Sequence, residues 1–277
     1  MAALHSTRHK NGAKSAQGVL EDGLRSGTWT FWNEHGKKRA EVEHARGLRH
    51  GWATAWHVSN HQKRSEGRFD RGRRSGAWTW FHPNGSVRVR AAFVDGRAEG
   101  DVEILHPDGT PRARGLVRDG RRTGAWTMWH ANGRRAALGS FDGGLRAGAW
   151  STWHSNGNPQ SRGAYQSGLR DGVWTFWHPN GAKAAEGDYQ AGRRNLMWIL
   201  WHQNGMRRAQ GTLVDDVLEG WWTHWHEDGQ KRAEGEMRGG LQQGPWQAWF
   251  EDGTIDPRMS GMFVDDVLTP ILDPPGA

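Results

Sequence analysis

Three residue types recur in this chain at spacings that could do chemistry: histidine, arginine and paired aspartate. His9, His57, His82, His106, His130, His154, His178, His202 and His226 form one row, and most steps along it are 24 residues. A row of imidazoles suggests metal ligation, most of all at His224-Trp225-His226, where residues i and i+2 of a strand would share a face. A second row is Arg25, Arg49, Arg74, Arg122, Arg146, Arg170 and Arg194. Its chemistry would be a basic stripe for an anionic partner: an acidic protein, a lipid headgroup surface or a nucleic acid. The paired aspartates Asp215-Asp216 and Asp265-Asp266 would be the acid/base candidates, but they recur in register 50 residues apart and so read as turn variants.

All three rows belong to one repeat, and the repeat decides what they can do. Taking the glycine of Gly-x-Trp as position zero, the units start at Gly27, Gly51, Gly76, Gly100, Gly124, Gly148, Gly172, Leu196, Gly220 and Gly244. Each unit has a Trp/Thr/Phe-rich stretch such as Val173-Trp174-Thr175-Phe176-Trp177-His178, then Pro-Asn-Gly or an equivalent. Asn or Asp followed by Gly marks a tight turn. A second short stretch and a second turn complete the unit. Glycine every five to nine residues breaks helices, so strand, turn, strand, turn predicts one β-hairpin per unit. The expected fold is all-β, an elongated, twisted antiparallel sheet of about ten 24-residue hairpins. The expected divisions are an N-terminal half repeat or cap over 1–23, the array over 24–261, and an aborted repeat with a tail over 262–277. In that tail FVDDVLTP echoes LVDDVLEG, with Pro270 in the place of the glycine.

That geometry weighs against a metal in the histidine row. Equivalent residues of neighbouring hairpins lie two strands apart, ~9.5 Å, whereas one ion needs each nitrogen at about 2 Å. The row is expected to anchor the Pro-Asn-Gly turns. The arginine row falls two residues before position zero, in the turns between hairpins, with side chains expected in solvent along one edge. No P-loop, G-x-G-x-x-G, H-E-x-x-H or G-x-S-x-G is present. The departures from the repeat are apolar swaps and acidic turns rather than one unique polar cluster. No catalytic, cofactor or metal residue is assigned.

Nineteen tryptophans carry most of the large apolar area in a chain that is only 35% hydrophobic. Position two holds Trp29, Ala53, Trp78, Val102, Trp126, Trp150, Trp174, Trp198, Trp222 and Trp246. Position five holds Trp32, Trp56, Phe81, Leu105, Trp129, Trp153, Trp177, Trp201, Trp225 and Trp249. The fourth unit writes Val102 and Leu105, a change that packing tolerates better than ligand stacking, so the columns read as structural ladders. Positions two and five have opposite parity. Either a bulge brings them to one face, or both faces are apolar and a second copy or a partner covers one.

The formal charge of +7 divides unevenly: residues 1–212 carry +16 and residues 213–277 carry −9. The basic and acidic ends allow head-to-tail self-association, and dimerisation through an apolar face is the other self-assembly route. There is no cysteine, so disulfides and thiolate metal sites are excluded. The first residues lack the apolar core of a signal peptide and no 18-residue apolar run exists, so the expected location is cytoplasmic, or peripheral to a membrane.

The spacing G-x-W-x-x-W-H-x-N-G-x-x-x-x-x-G-x-[FY]-x-x-G, repeated over residues 9–270, resembles the bacterial variant of the MORN repeat, whose members are often labelled YwqK-type antitoxins. The resemblance implies an elongated β-hairpin solenoid without an active site, used for contacts with proteins or lipids. It points to a protein partner met by the arginine row and an aromatic face, with an anionic lipid surface as the alternative. No nucleic-acid motif accompanies the basic residues.

Overall fold

The computed structural model describes residues 1–269, which contain 23 β-strands, numbered β1 to β23 in chain order, and no helix. There is accordingly no helix among them long and apolar enough to cross a membrane. Pro270, the expected departure in the aborted repeat, lies outside the described residues. The chain divides into two compact units. One comprises Met1–Arg134 and Phe141–Gly144; the other comprises Arg135–Ser140 and the described residues from Leu145 onward.

In the first unit every strand from β1 (Ala2–Arg8) to β11 (Arg121–Trp129) pairs antiparallel with the next. In the second, the same meander runs from β13 (Leu145–Trp153) to β23 (Val267–Thr269). The all-β hairpin reading holds in both. A typical repeat is β15 (Leu169–Trp177) followed by β16 (Lys183–Gln190).

The position-zero glycine lies inside the long strand rather than at its start. Gly115 is opposite Trp126 but Leu116 is opposite Thr123, so Gly124 and Ala125 are looped out of the ladder. Gly124 has φ 60°, a conformation that costs an L-residue about 1–2 kcal/mol. A bulge therefore exists, but it precedes position two and leaves the two tryptophan columns on opposite faces. Positions two and four share a face, as the 5.8 Å contact of Trp174 with Phe176 and the 5.7 Å contact of Trp78 with Trp80 show. Positions one, three and five alternate to the other face.

Both ends of each hairpin are tied to the next repeat. At one end His Nε2 donates to the position-five carbonyl one repeat on, as in His154 to Trp177 (2.9 Å) and His178 to Trp201 (3.0 Å). Beside it the turn asparagine donates across the same gap, Asn180 Nδ2 to the Gln203 carbonyl at 2.6 Å. At the other end the turn glycine N–H bonds the carbonyl of the arginine column, as in Gly192 to Arg170 at 2.9 Å.

Candidate functional site

The position-two tryptophans are the core. Trp29, Trp126, Trp150 and Trp174 are each 1% exposed, which is unusual in a single layer of sheet. Three features produce it. Below each ring, on the neighbouring strand, is a glycine: a Cβ on Gly115 would fall 2.4 Å from Trp126, and one on Gly187 2.3 Å from Trp198. At the side, Nε1 donates to the carbonyl that the bulge frees from the ladder, Trp126 to Leu116 at 2.9 Å and Trp174 to Ala164 at 3.0 Å. Above the ring is the arginine column.

That column is where the structure departs most from the sequence expectation. The arginines do not project freely from an edge. Arg25 lies 4.5 Å from the Trp29 ring, Arg74 4.9 Å from Trp78, Arg122 4.5 Å from Trp126, Arg146 4.6 Å from Trp150, Arg170 4.7 Å from Trp174 and Arg194 5.9 Å from Trp198. Arg49, whose unit has Ala53 in place of tryptophan, lies 5.3 Å from Phe69 instead. Arg146 and Arg170 also donate to the hydroxyls of Tyr165 and Tyr189. The guanidinium edges stay at the surface, since Arg49, Arg74 and Arg146 are exposed and the other four partly so. Strand geometry explains the difference: position −2 is the second residue of the long strand, with its side chain on the face of position two.

The position-five column (Trp32, Trp56, Phe81, Trp129, Trp153, Trp177, Trp201, Trp225, Trp249) is half-buried on the second face, and only Leu105 is buried. Lysines of the preceding repeat cover some rings: Lys14 over Trp32, Lys38 over Trp56 and Lys183 over Trp201. Lys183 also pairs with Glu186 at 2.8 Å, and that bond holds the carboxyl below its ordinary range. In the first unit Arg114 and Arg90 do the same to Glu103. In the second unit the same face carries exposed apolar residues at position one: Val173, Met197 and Trp221, with Met262 beyond them.

The histidine column is consumed in the inter-repeat bonds. His226 follows the rule and donates to the Trp249 carbonyl at 2.9 Å. His224 is different: it sits at position four, near Trp222 (6.0 Å) and Trp246 (6.5 Å), in a groove of the Trp face. Burial lowers its pKa, and so do Arg232 and Arg208. Asp215 and Asp216 are turn residues with positive φ; Asp216 pairs with Arg194 at 2.7 Å and Asp215 accepts from Asn195.

A family model described as MORN repeat variant matches residues 74–95 and 170–191. Each segment runs from an arginine of the column through the Trp strand, the turn and the short strand. No curated protein matches the chain. Among solved structures, the crystal structure of TcdB2-TccC3-TEV is similar at 10% identity, over 89% of this chain and 14% of that one, with a TM-score of 0.19. The chain thus spans about one seventh of that protein, and a likeness of this size carries no argument.

Proposed function

We propose that the protein is a non-enzymatic repeat scaffold that binds a partner protein. The observation that carries this reading is the fate of the chemically capable residues. Histidine, asparagine, tryptophan and arginine are committed, repeat after repeat, to holding the sheet together, while an apolar strip on the second face is exposed among the described residues. Val173 is 60% exposed, Met197 53% and Trp221 55%, and half-buried Trp177, Trp201 and Trp225 stand further along the same face of each strand. Exposed strips of this kind mark contact surfaces, with Trp and Met well suited to anchoring. The surface edges of Arg25, Arg49, Arg74, Arg122, Arg146, Arg170 and Arg194 supply a charged second contact. A photo-crosslinker at position 221 is expected to give one discrete heterologous adduct in an extract of the native cell, lost in the Met197→Glu variant. No adduct, or the same adduct from a crosslinker in the Asn180 turn, would overturn the reading.

A second reading, attachment to anionic lipid, is favoured by exposed Arg73, Arg97 and Arg121 in three successive repeats of the first unit. Although Arg97 pairs with Asp119, the run adds positive charge beside Arg74 and Arg122. Cosedimentation with phosphatidylserine vesicles, abolished by salt and by Arg73→Gln with Arg121→Gln, tests it.

A further inference from the structure

The last two repeats depart from the arginine-bearing units on the Trp face. Position −2 is Leu218 and Gln242, so no guanidinium roofs Trp222 or Trp246. Position four, aromatic at Phe31, Trp80 and Phe176 and aliphatic or small at Ala55, Ile104, Met128, Thr152 and Leu200, is His224 and then Ala248. Where the guanidinium is missing, a groove runs past Leu218 and His224. One part, of about 540 Å3, lies along Trp198, Leu200, Leu213 and Trp222. It continues past Leu218, His224 and Arg232 into a part of about 1050 Å3 beside Met237 and Trp246. Such volumes suit small ligands.

The groove is apolar in its floor and cationic in its walls. The cross-strand partners of His224 are Ala209 on one side and Ala233 on the other, both buried. The residues just before them, Arg208 and Arg232, are exposed and line the groove. Neither guanidinium has an ion pair or side-chain hydrogen bond among the described residues, and neither does the His224 ring. The nearby carboxylates are engaged: Asp216 with Arg194 at 2.7 Å and Asp256 with Arg258 at 3.0 Å. Glu251 and Asp252 line the larger part only, not the part that holds Arg208.

We propose that this groove binds a small organic anion. Its charged head lies between Arg208 and Arg232, and its apolar or aromatic body lies along Leu200, Leu218 and the His224 ring, all partly exposed. The site does not depend on the exposed strip of Val173, Met197 and Trp221, which is on the opposite face, but it shares Arg194 with the charged contact of the protein-binding reading. Charge complementarity selects the class of ligand: two unpaired cations beside an apolar floor favour an anion with a hydrophobic body over a neutral one.

The test is a fluorescence titration of the full chain with 8-anilinonaphthalene-1-sulfonate, an aromatic sulfonate, and with its neutral counterpart N-phenyl-1-naphthylamine. The wild type is expected to bind the sulfonate saturably, one molecule per chain. Arg208→Gln with Arg232→Gln should weaken it about tenfold or more and leave the neutral probe unchanged. Arg64→Gln with Arg88→Gln, at the same repeat position in the first unit, should have no effect. Leu218→Arg with His224→Phe, which restores the repeat's own roof, should abolish binding with the circular dichroism spectrum retained. Absence of saturable binding by the wild type, or equal loss of both probes in the Arg208/Arg232 variant, would overturn the proposal.

Discussion

Gly115 and Trp126 face each other across β10 (Pro111–Arg118) and β11, and the indole occupies the space where a side chain on residue 115 would be. The same relation joins Gly67 to Trp78 and Gly235 to Trp246. Where the tryptophan is absent, the glycine is too: Ala53 faces Val42, and Val102 faces Ala91. The two positions share one volume, filled once from either side.

Gly115→Ala is therefore expected to destabilise the protein by about 1–3 kcal/mol through overpacking. Trp126→Val alone should also destabilise it, by leaving a cavity. The double variant, which copies Ala91 with Val102, should recover part of the loss. A double-mutant cycle by chemical denaturation measures this, and additive effects would refute the shared volume.

Arg170 covers Trp174, Phe176 and Tyr189 at 4.7, 5.1 and 5.2 Å. Replacing it by methionine keeps apolar cover but removes the cation, so a cost of roughly 0.5–2 kcal/mol is expected. Arg170→Gly should cost more and should expose Trp174 to acrylamide quenching, which the methionine variant should not.

Leu196 takes position zero in the eighth unit with φ 60°, where the other units have glycine. Its side chain is 53% exposed, so little packing offsets the backbone cost. Leu196→Gly is expected to raise stability by about 1 kcal/mol, seen as a higher denaturation midpoint at unchanged slope.

His44 and His224 both have pKa values lowered from 6.5, in each case chiefly by burial. As pH falls below 6.5 the unfolded chain takes up protons at these sites before the folded one does, so stability declines with acidification. Above that pH both states are neutral and the effect vanishes. The lowered carboxyls Glu103 and Glu186 act in the same direction but only below about 4.5. Between pH 6.5 and 5 the slope of stability against pH should flatten when His44 and His224 are replaced by phenylalanine, the residue that Phe69 and Phe176 supply at the matching positions of other units.

The strands were legible in the sequence because Asn-Gly, Asp-Gly and the Gly-x-Trp spacing punctuate every hairpin. The turn role of the histidines was legible for the same reason. The place of the arginine column is not legible, because a turn signal does not say where the next strand begins or to which face its second residue points. The parity of the two tryptophan columns suggests a bulge without placing it, and only the register shows that it precedes the tryptophan. The glycine of position fifteen was visible as a regular feature, and the paired exceptions Val42/Ala53 and Ala91/Val102 were the signal that it answers the tryptophan. Absence of arginine at 218 and 242 is visible too, but its meaning requires the groove beside His224 to be seen on the same face.

The bonds from His178 to Trp201 and from Asn180 to Gln203 each bridge 23 residues. A donor in one turn is useful only if an acceptor stands one full unit further on. Removal of any other number of residues would strand a row of donors without acceptors, whereas excision of a whole block re-forms the junction. Gene duplication and loss can then change the size of the exposed surface in fixed increments while each junction stays the same. Selection for a larger or smaller partner would act on copy number before it acted on side chains.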